Sequence, residues 1–136
     1  MNNGNDRFKR IVVVGMGYVG IPVAVMFARA GFDVIGINRS RPKVDLINQA
    51  ICPIEGKEPH LAEYLRDVVQ RGKLRATQDF SVCKDADAIL IAVQTPFNVE
   101  AKEPYYSSLR SAVRDVGKNM RRGTLVVIES TVAPGT

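Results

Sequence analysis

Histidine occurs once in this 136-residue chain and cysteine twice. His60 lies apart from both Cys52 and Cys83, and the two cysteines form no Cys-x-x-Cys pair, so the ligand clusters of a zinc or iron–sulfur centre are missing. No apolar run approaches the ~18 residues that cross a bilayer, which excludes a membrane-spanning helix. The opening MNNGNDRFKR is polar and lacks the apolar core of a secretory signal. With free thiols as well, it points to a cytoplasmic protein whose residues 1–9 form a loose tail. Basic residues outnumber acidic ones by 19 to 14, yet they form no consecutive block and no stripe interleaved with aromatics. Such an excess suits small anionic partners, nucleotides or phosphosugars, and argues against nucleic acid as the ligand. There is no repeat of solenoid period and no low-complexity segment, so residues 10–136 read as one domain.

What is present is alternation. Residues 11–14 (IVVV) are continuous and β-branched, as in a strand buried on both faces. Residues 19–30 follow as a helix with Pro22 in its first turn, where a missing N–H costs little, and Gly31 closes it. Residues 33–37 predict a second strand, 43–49 a short helix, and 60–71 a helix with apolar positions at Leu61, Tyr64, Leu65, Val68 and Val69. A short strand over 73–76, a short helix and turn in DFSVCKDA, and a buried strand over 88–93 come next. QTPFNVEAKEPYY, residues 94–106, reads as a loop, 107–120 as a helix and 124–129 as a strand. Strands alternating with helices predict an α/β fold, a Rossmann-type doubly wound parallel sheet. The closing STVAPGT follows a strand directly, which suggests that the chain is part of a longer one.

Gly15, Gly17 and Gly20 spell G-x-G-x-x-G between the first strand and the first helix. In that context the first glycine permits the turn, the second lets backbone approach a pyrophosphate, and the third lets helix and strand pack closely. The helix then aims its N-terminal N–H groups at the phosphates. At the end of the second strand, 18 residues past Gly20, stands Asn38, where an acidic residue would take the ribose hydroxyls of NAD. Arg39, Ser40 and Arg41 follow. A neutral side chain beside an arginine removes repulsion against a 2′-phosphate and adds attraction, which tilts the reading toward NADP. Two solvated arginines on a turn are the bland alternative.

GMGYVGIPVAVMFARAGFDVIGIN, EPHL (58–61), AVQTPF (92–97) and ESTVAPGT (129–136), in that order, resemble the N-terminal domain of the UDP-glucose/GDP-mannose dehydrogenases. The Phe after Thr-Pro and the EST before the last turn are similar to the branch that oxidises UDP-N-acetylhexosamines. The resemblance implies oxidation of a sugar C6 alcohol to a carboxylate with two equivalents of NAD, through a thioester on a cysteine of a downstream domain. It implies that Met16, Gly17, Tyr18 and Val19 hold the pyrophosphate and that Asn38 and Lys43 lie near the adenosine ribose. It further implies that Val93, Gln94, Thr95 and Pro96 line the nicotinamide ribose, and that Ser130 and Thr131 close over the nicotinamide. Thr131 matches a threonine that helps place the catalytic water, and Glu129 is a further cofactor neighbour. The implied partners are NAD or NADP, a nucleotide sugar and, for the longer enzyme, further copies of itself.

Three positions depart from the family pattern: Asn38 replaces an acid, and Ala50 and His60 replace frequent glycines. Neither cysteine sits in the family's nucleophile motif, so these residues are expected to bind cofactor without turning over substrate. Two other readings remain: a nucleotide-sensing regulatory module, and an NADP-linked hydroxyacid-type dehydrogenase domain, which carries a similar NRS after its second strand.

Overall fold

The computed structural model describes residues 8–54, 58–104 and 106–130. Strand β1 (Arg10–Val14) leads into helix α1 (Gly20–Arg29), then β2 (Asp33–Ile37), α2 (Arg41–Asn48), α3 (Leu61–Gln70) and β3 (Leu74–Thr77). A 3-10 helix over Phe80–Asp85 connects to β4 (Ala88–Ile91). A small hairpin, β5 (Phe97–Asn98) and β6 (Glu103–Pro104), precedes α4 (Ser107–Asn119) and β7 (Leu125–Ile128).

Five strands form one sheet in the order β3-β2-β1-β4-β7, and every pairing in it is parallel. The chain works outward from β1 to β3, crosses back to β4 and works outward again to β7. The reversal falls between β1 and β4, where connections leave in opposite directions and open a crevice at the carboxyl ends of the strands. This is the doubly wound Rossmann-type sheet that the alternating pattern implies.

Side chains alternate across the sheet and fill two cores. Ile11, Val13, Ala88 and Leu90 pack with Ile21, Ala24, Val25 and Leu65 on the side of α1, α2 and α3. Val12, Val14, Ile89 and Ile91 pack with Cys83, Leu109, Ala112 and Val116 on the side of the 3-10 helix and α4. The unbroken apolar runs Ile11–Val14 of β1 and Ala88–Ile91 of β4 are the consequence of a layer on each face.

Several boundaries differ from the sequence reading. Helix α2 begins at Arg41 rather than 43, because the Ser40 hydroxyl accepts from the Lys43 N–H and Pro42 fits the first turn. Strand β4 stops at Ile91 rather than 93: after the Ala92 N–H donates to the Val14 carbonyl, the chain leaves the ladder. The expected loop 94–106 contains the β5–β6 hairpin, paired antiparallel. At the start, Lys9 already belongs to the fold, since its carbonyl accepts from the Asp33 N–H; residues 1–7 of the expected tail lie outside the described residues.

Candidate functional site

A cleft of about 470 Å³ opens at the carboxyl ends of β1 and β4. The glycine loop forms its floor. Gly15 has a φ of +96°, and a Cβ there would lie 2.7 Å from the Ala92 carbonyl oxygen. A Cβ on Gly20 would lie 1.7 Å from the Gly15 carbonyl oxygen. Both glycines are therefore required by the protein itself, the second because α1 sits directly on the turn. Gly17 is different. A Cβ there would meet no atom within 4 Å, and no left-handed backbone demands a glycine. The space beside Gly17 is open cleft.

Helix α1 starts at this loop with no side-chain cap: its N-cap residue, Val19, has no polar side chain to accept from the first turn. The N–H groups of Gly17, Tyr18 and Val19 donate to no backbone carbonyl among the described residues. N–H groups without a backbone acceptor and the positive end of the helix dipole thus lie at the loop where Gly17 leaves open space, an arrangement that suits an anion. Met16 takes a different part: its side chain is fully buried, with its thioether against Gly36, and its N–H donates to the Asn38 Oδ1 at 3.1 Å. The sequence-implied residues Gly15, Met16, Gly17, Tyr18, Val19, Asn38, Arg39, Ser40, Lys43, Val93, Gln94, Thr95, Glu129 and Ser130 all line the cleft. Gly20 lies behind the loop and Pro96 outside the lining; Thr131 lies outside the described residues.

Phe80, Ser108 and Ala112 also line the cleft. They come from the 3-10 helix and α4, across the cleft from the glycine loop, and the sequence offers no local signal for them. Their positions follow only from where the crossover after β3 and the helix before β7 land on the sheet.

The two ends of the cleft differ in charge. Asn38, Arg39, Ser40 and Lys43 supply the end beside β2, where Arg39 reaches over to the Ser111 hydroxyl and lies 3.6 Å from the Asp115 carboxylate on α4. The Gln78 side chain holds the Arg39 carbonyl at 2.7 Å. Beside β7, Ser130 donates to the Val93 carbonyl at 2.8 Å and so ties the strand ends of β4 and β7 together. Glu129, next to it, is the single carboxylate of the lining among the described residues. Neither cysteine nor histidine lines the cleft. Cys83 lies in the core under it, where burial pushes its thiol up to about 11 and keeps it protonated and unreactive. No group of three or more potential metal ligands occurs among the described residues.

Open space at the second glycine, uncapped N–H donors and an apolar wall fit a dinucleotide. Residues 9–136 match the family profile described as the NAD binding domain of the UDP-glucose/GDP-mannose dehydrogenase family. The chain is similar to the UDP-N-acetyl-D-mannosamine dehydrogenase of Pyrococcus horikoshii, with 40% identity over 93% of this chain and 29% of that protein. Among solved structures it is similar to the NDP-N-acetyl-D-galactosaminuronic acid dehydrogenase of Methanosarcina mazei, with a TM-score of 0.88 and 41% identity over 100% of this chain and 31% of that one. A ternary complex of GDP-mannose dehydrogenase from Pseudomonas aeruginosa superposes with a TM-score of 0.85 and 37% identity, over 93% of this chain and 29% of that one. The chain thus spans about three tenths of the length of these relatives.

Proposed function

Because the chain belongs to the UDP-glucose/GDP-mannose dehydrogenase family, whose NAD-binding domain it matches, we propose that it serves oxidation of a UDP-N-acetylhexosamine at C6. It is the NAD-binding domain of a nucleotide-sugar dehydrogenase. In the proposed reaction the C6 alcohol becomes a carboxylate, which requires two equivalents of NAD. The observation that supports the cofactor's seat is Gly17: neither backbone strain nor a neighbouring atom explains a glycine there, and a pyrophosphate does.

When bound, NAD supplies a hydride acceptor. The chain's own residues bind and orient it. The N–H groups of Gly17, Tyr18 and Val19 would hold the pyrophosphate, and the segment from Asn38 to Lys43 would hold the adenosine ribose. Val93, Gln94 and Thr95 line the far half, where Ser130 fixes the wall by its bond to the Val93 carbonyl. Thr131 would orient the water that releases the product. The lining lacks any cysteine that could carry the sugar as a thioester, so these 136 residues would bind cofactor without completing the oxidation. The longer enzyme would assemble as a homo-oligomer.

Titration calorimetry of the chain with NAD, together with an assay for NADH formation on UDP-N-acetylmannosamine and UDP-N-acetylglucosamine, tests this reading. The expected result is a saturable NAD isotherm and no NADH. No binding at millimolar NAD would overturn the cofactor reading, and steady NADH formation would overturn the assignment of the covalent step to residues outside this chain.

A further inference from the structure

We infer that the β2 end of the cleft takes a 2′-phosphorylated adenosine ribose, so that the domain accepts NADP at least as well as NAD. The inference rests on the dinucleotide reading of the cleft and concerns only its ribose end. Discrimination against a 2′-phosphate normally comes from a carboxylate at the end of β2, which accepts from the ribose hydroxyls and repels the phosphate. Asn38 occupies that place, and its orientation is fixed: Oδ1 accepts from the Met16 N–H at 3.1 Å. Besides the lone pair left on Oδ1, Asn38 offers Nδ2, a donor that a carboxylate at this place would lack.

The surrounding side chains have the same polarity. Arg39, Ser40 and Lys43 line this end, and Lys43 is paired with no carboxylate among the described residues. Glu129 belongs to the β7 end. Strands β2 and β7 are three strand spacings apart, about 14 Å at ~4.8 Å each, so Glu129 does not act on the ribose. Among the described residues, the carboxylate paired with Arg39 is that of Asp115, in a pair whose side chains are 61% and 37% exposed. A solvated pair of this kind is weak and yields its arginine to a dianion that can accept several charge-assisted hydrogen bonds at once. A ribose 2′-hydroxyl, by contrast, would find donors here and no lining carboxylate to accept its proton. The chemistry of this end is therefore that of a phosphate site.

Titration of the 136-residue chain with NAD, NADP, adenosine 5′-diphosphate and adenosine 2′,5′-bisphosphate reads the ribose end directly. The expected result is a Kd for NADP equal to or below that for NAD, and the bisphosphate tighter than the diphosphate. Asn38→Asp keeps an oxygen for the Met16 N–H and replaces the donor with a carboxylate; it should raise the NADP-to-NAD Kd ratio by at least ~10-fold. Arg39→Ala, which removes a side chain that is 61% exposed, should raise the same ratio about tenfold. NAD binding with NADP tenfold or more weaker would overturn the inference and leave the dinucleotide reading intact. Binding of neither would overturn both. An equal loss of NAD and NADP in Arg39→Ala would reduce Arg39 to a strap between β2 and α4 and overturn its part in selection.

Discussion

Gly17 and Asn38 show how differently two single positions inform the site. The G-x-G-x-x-G pattern is readable in the sequence because each glycine has a fixed spacing from the strand before it. The pattern does not say which glycine serves the fold and which serves a ligand. The structure separates them: Gly15 and Gly20 would clash with backbone, and Gly17 would clash with nothing. The bond from the Met16 N–H to Asn38, by contrast, joins residues 22 apart and has no sequence signature. The same holds for Arg39 and its partners on α4, which follow from the placement of a helix more than 70 residues away. Ala50 and His60 carry φ values of 63° and 67°. Left-handed backbone costs a residue with a Cβ about 1–2 kcal/mol, of which glycine's freedom in the unfolded chain takes back part. Ala50→Gly and His60→Gly should each stabilise the domain by about 0.5–1 kcal/mol, raising Tm by about 2 °C in a thermal melt monitored by circular dichroism.

Elements were legible wherever burial imposes a period. The unbroken apolar runs of β1 and β4 identify strands covered on both sides, and the spacing in α3 identifies a helix with one buried stripe. The β5–β6 hairpin was not legible, because two residues per strand are too few for any alternation to register. Nor was the device that fixes the amino-terminal ends of the central strands. Asp87, just before β4, accepts from the N–H groups of Lys9 and Arg10 at 2.8 and 3.0 Å and from the Arg121 guanidinium at 2.6 Å. One carboxylate thereby joins the starts of β1 and β4 to the turn after α4. The bonds from the backbone of Arg10 and Lys9, with the nearby Arg121 charge, hold the Asp87 carboxyl below its ordinary 3.8. A depressed carboxylate contributes stability above the unfolded value and loses it as pH falls through the folded one. Asp87→Asn should therefore cost about 1–2 kcal/mol at neutral pH, and its gap from the parent should close below pH ~3.8. Urea denaturation at neutral and acidic pH measures both values; a constant gap would mean that the charge of Asp87 is not what matters.

Over the whole molecule, the strand order β3-β2-β1-β4-β7 places the switch point beside the glycine loop, and so converts a local motif into one wall of a cleft. Alternation of element types was enough to anticipate a doubly wound parallel sheet. The far walls, from Phe80 to Ala112, depend on how crossovers land and appear only in three dimensions. The β7 strand leaves Leu125, Val127 and Ile128 substantially exposed. Under the proposed function, the space beside Gly17 belongs to the cofactor's pyrophosphate. Calorimetric titration of Gly17→Ala with NAD, beside a thermal melt of the same variant, tests it most directly. The added methyl meets no protein atom, so the melt should match the parent while NAD affinity falls at least ~10-fold. A variant that melts like the parent and binds NAD equally well would contradict the account and leave the loop a strand–helix connection only.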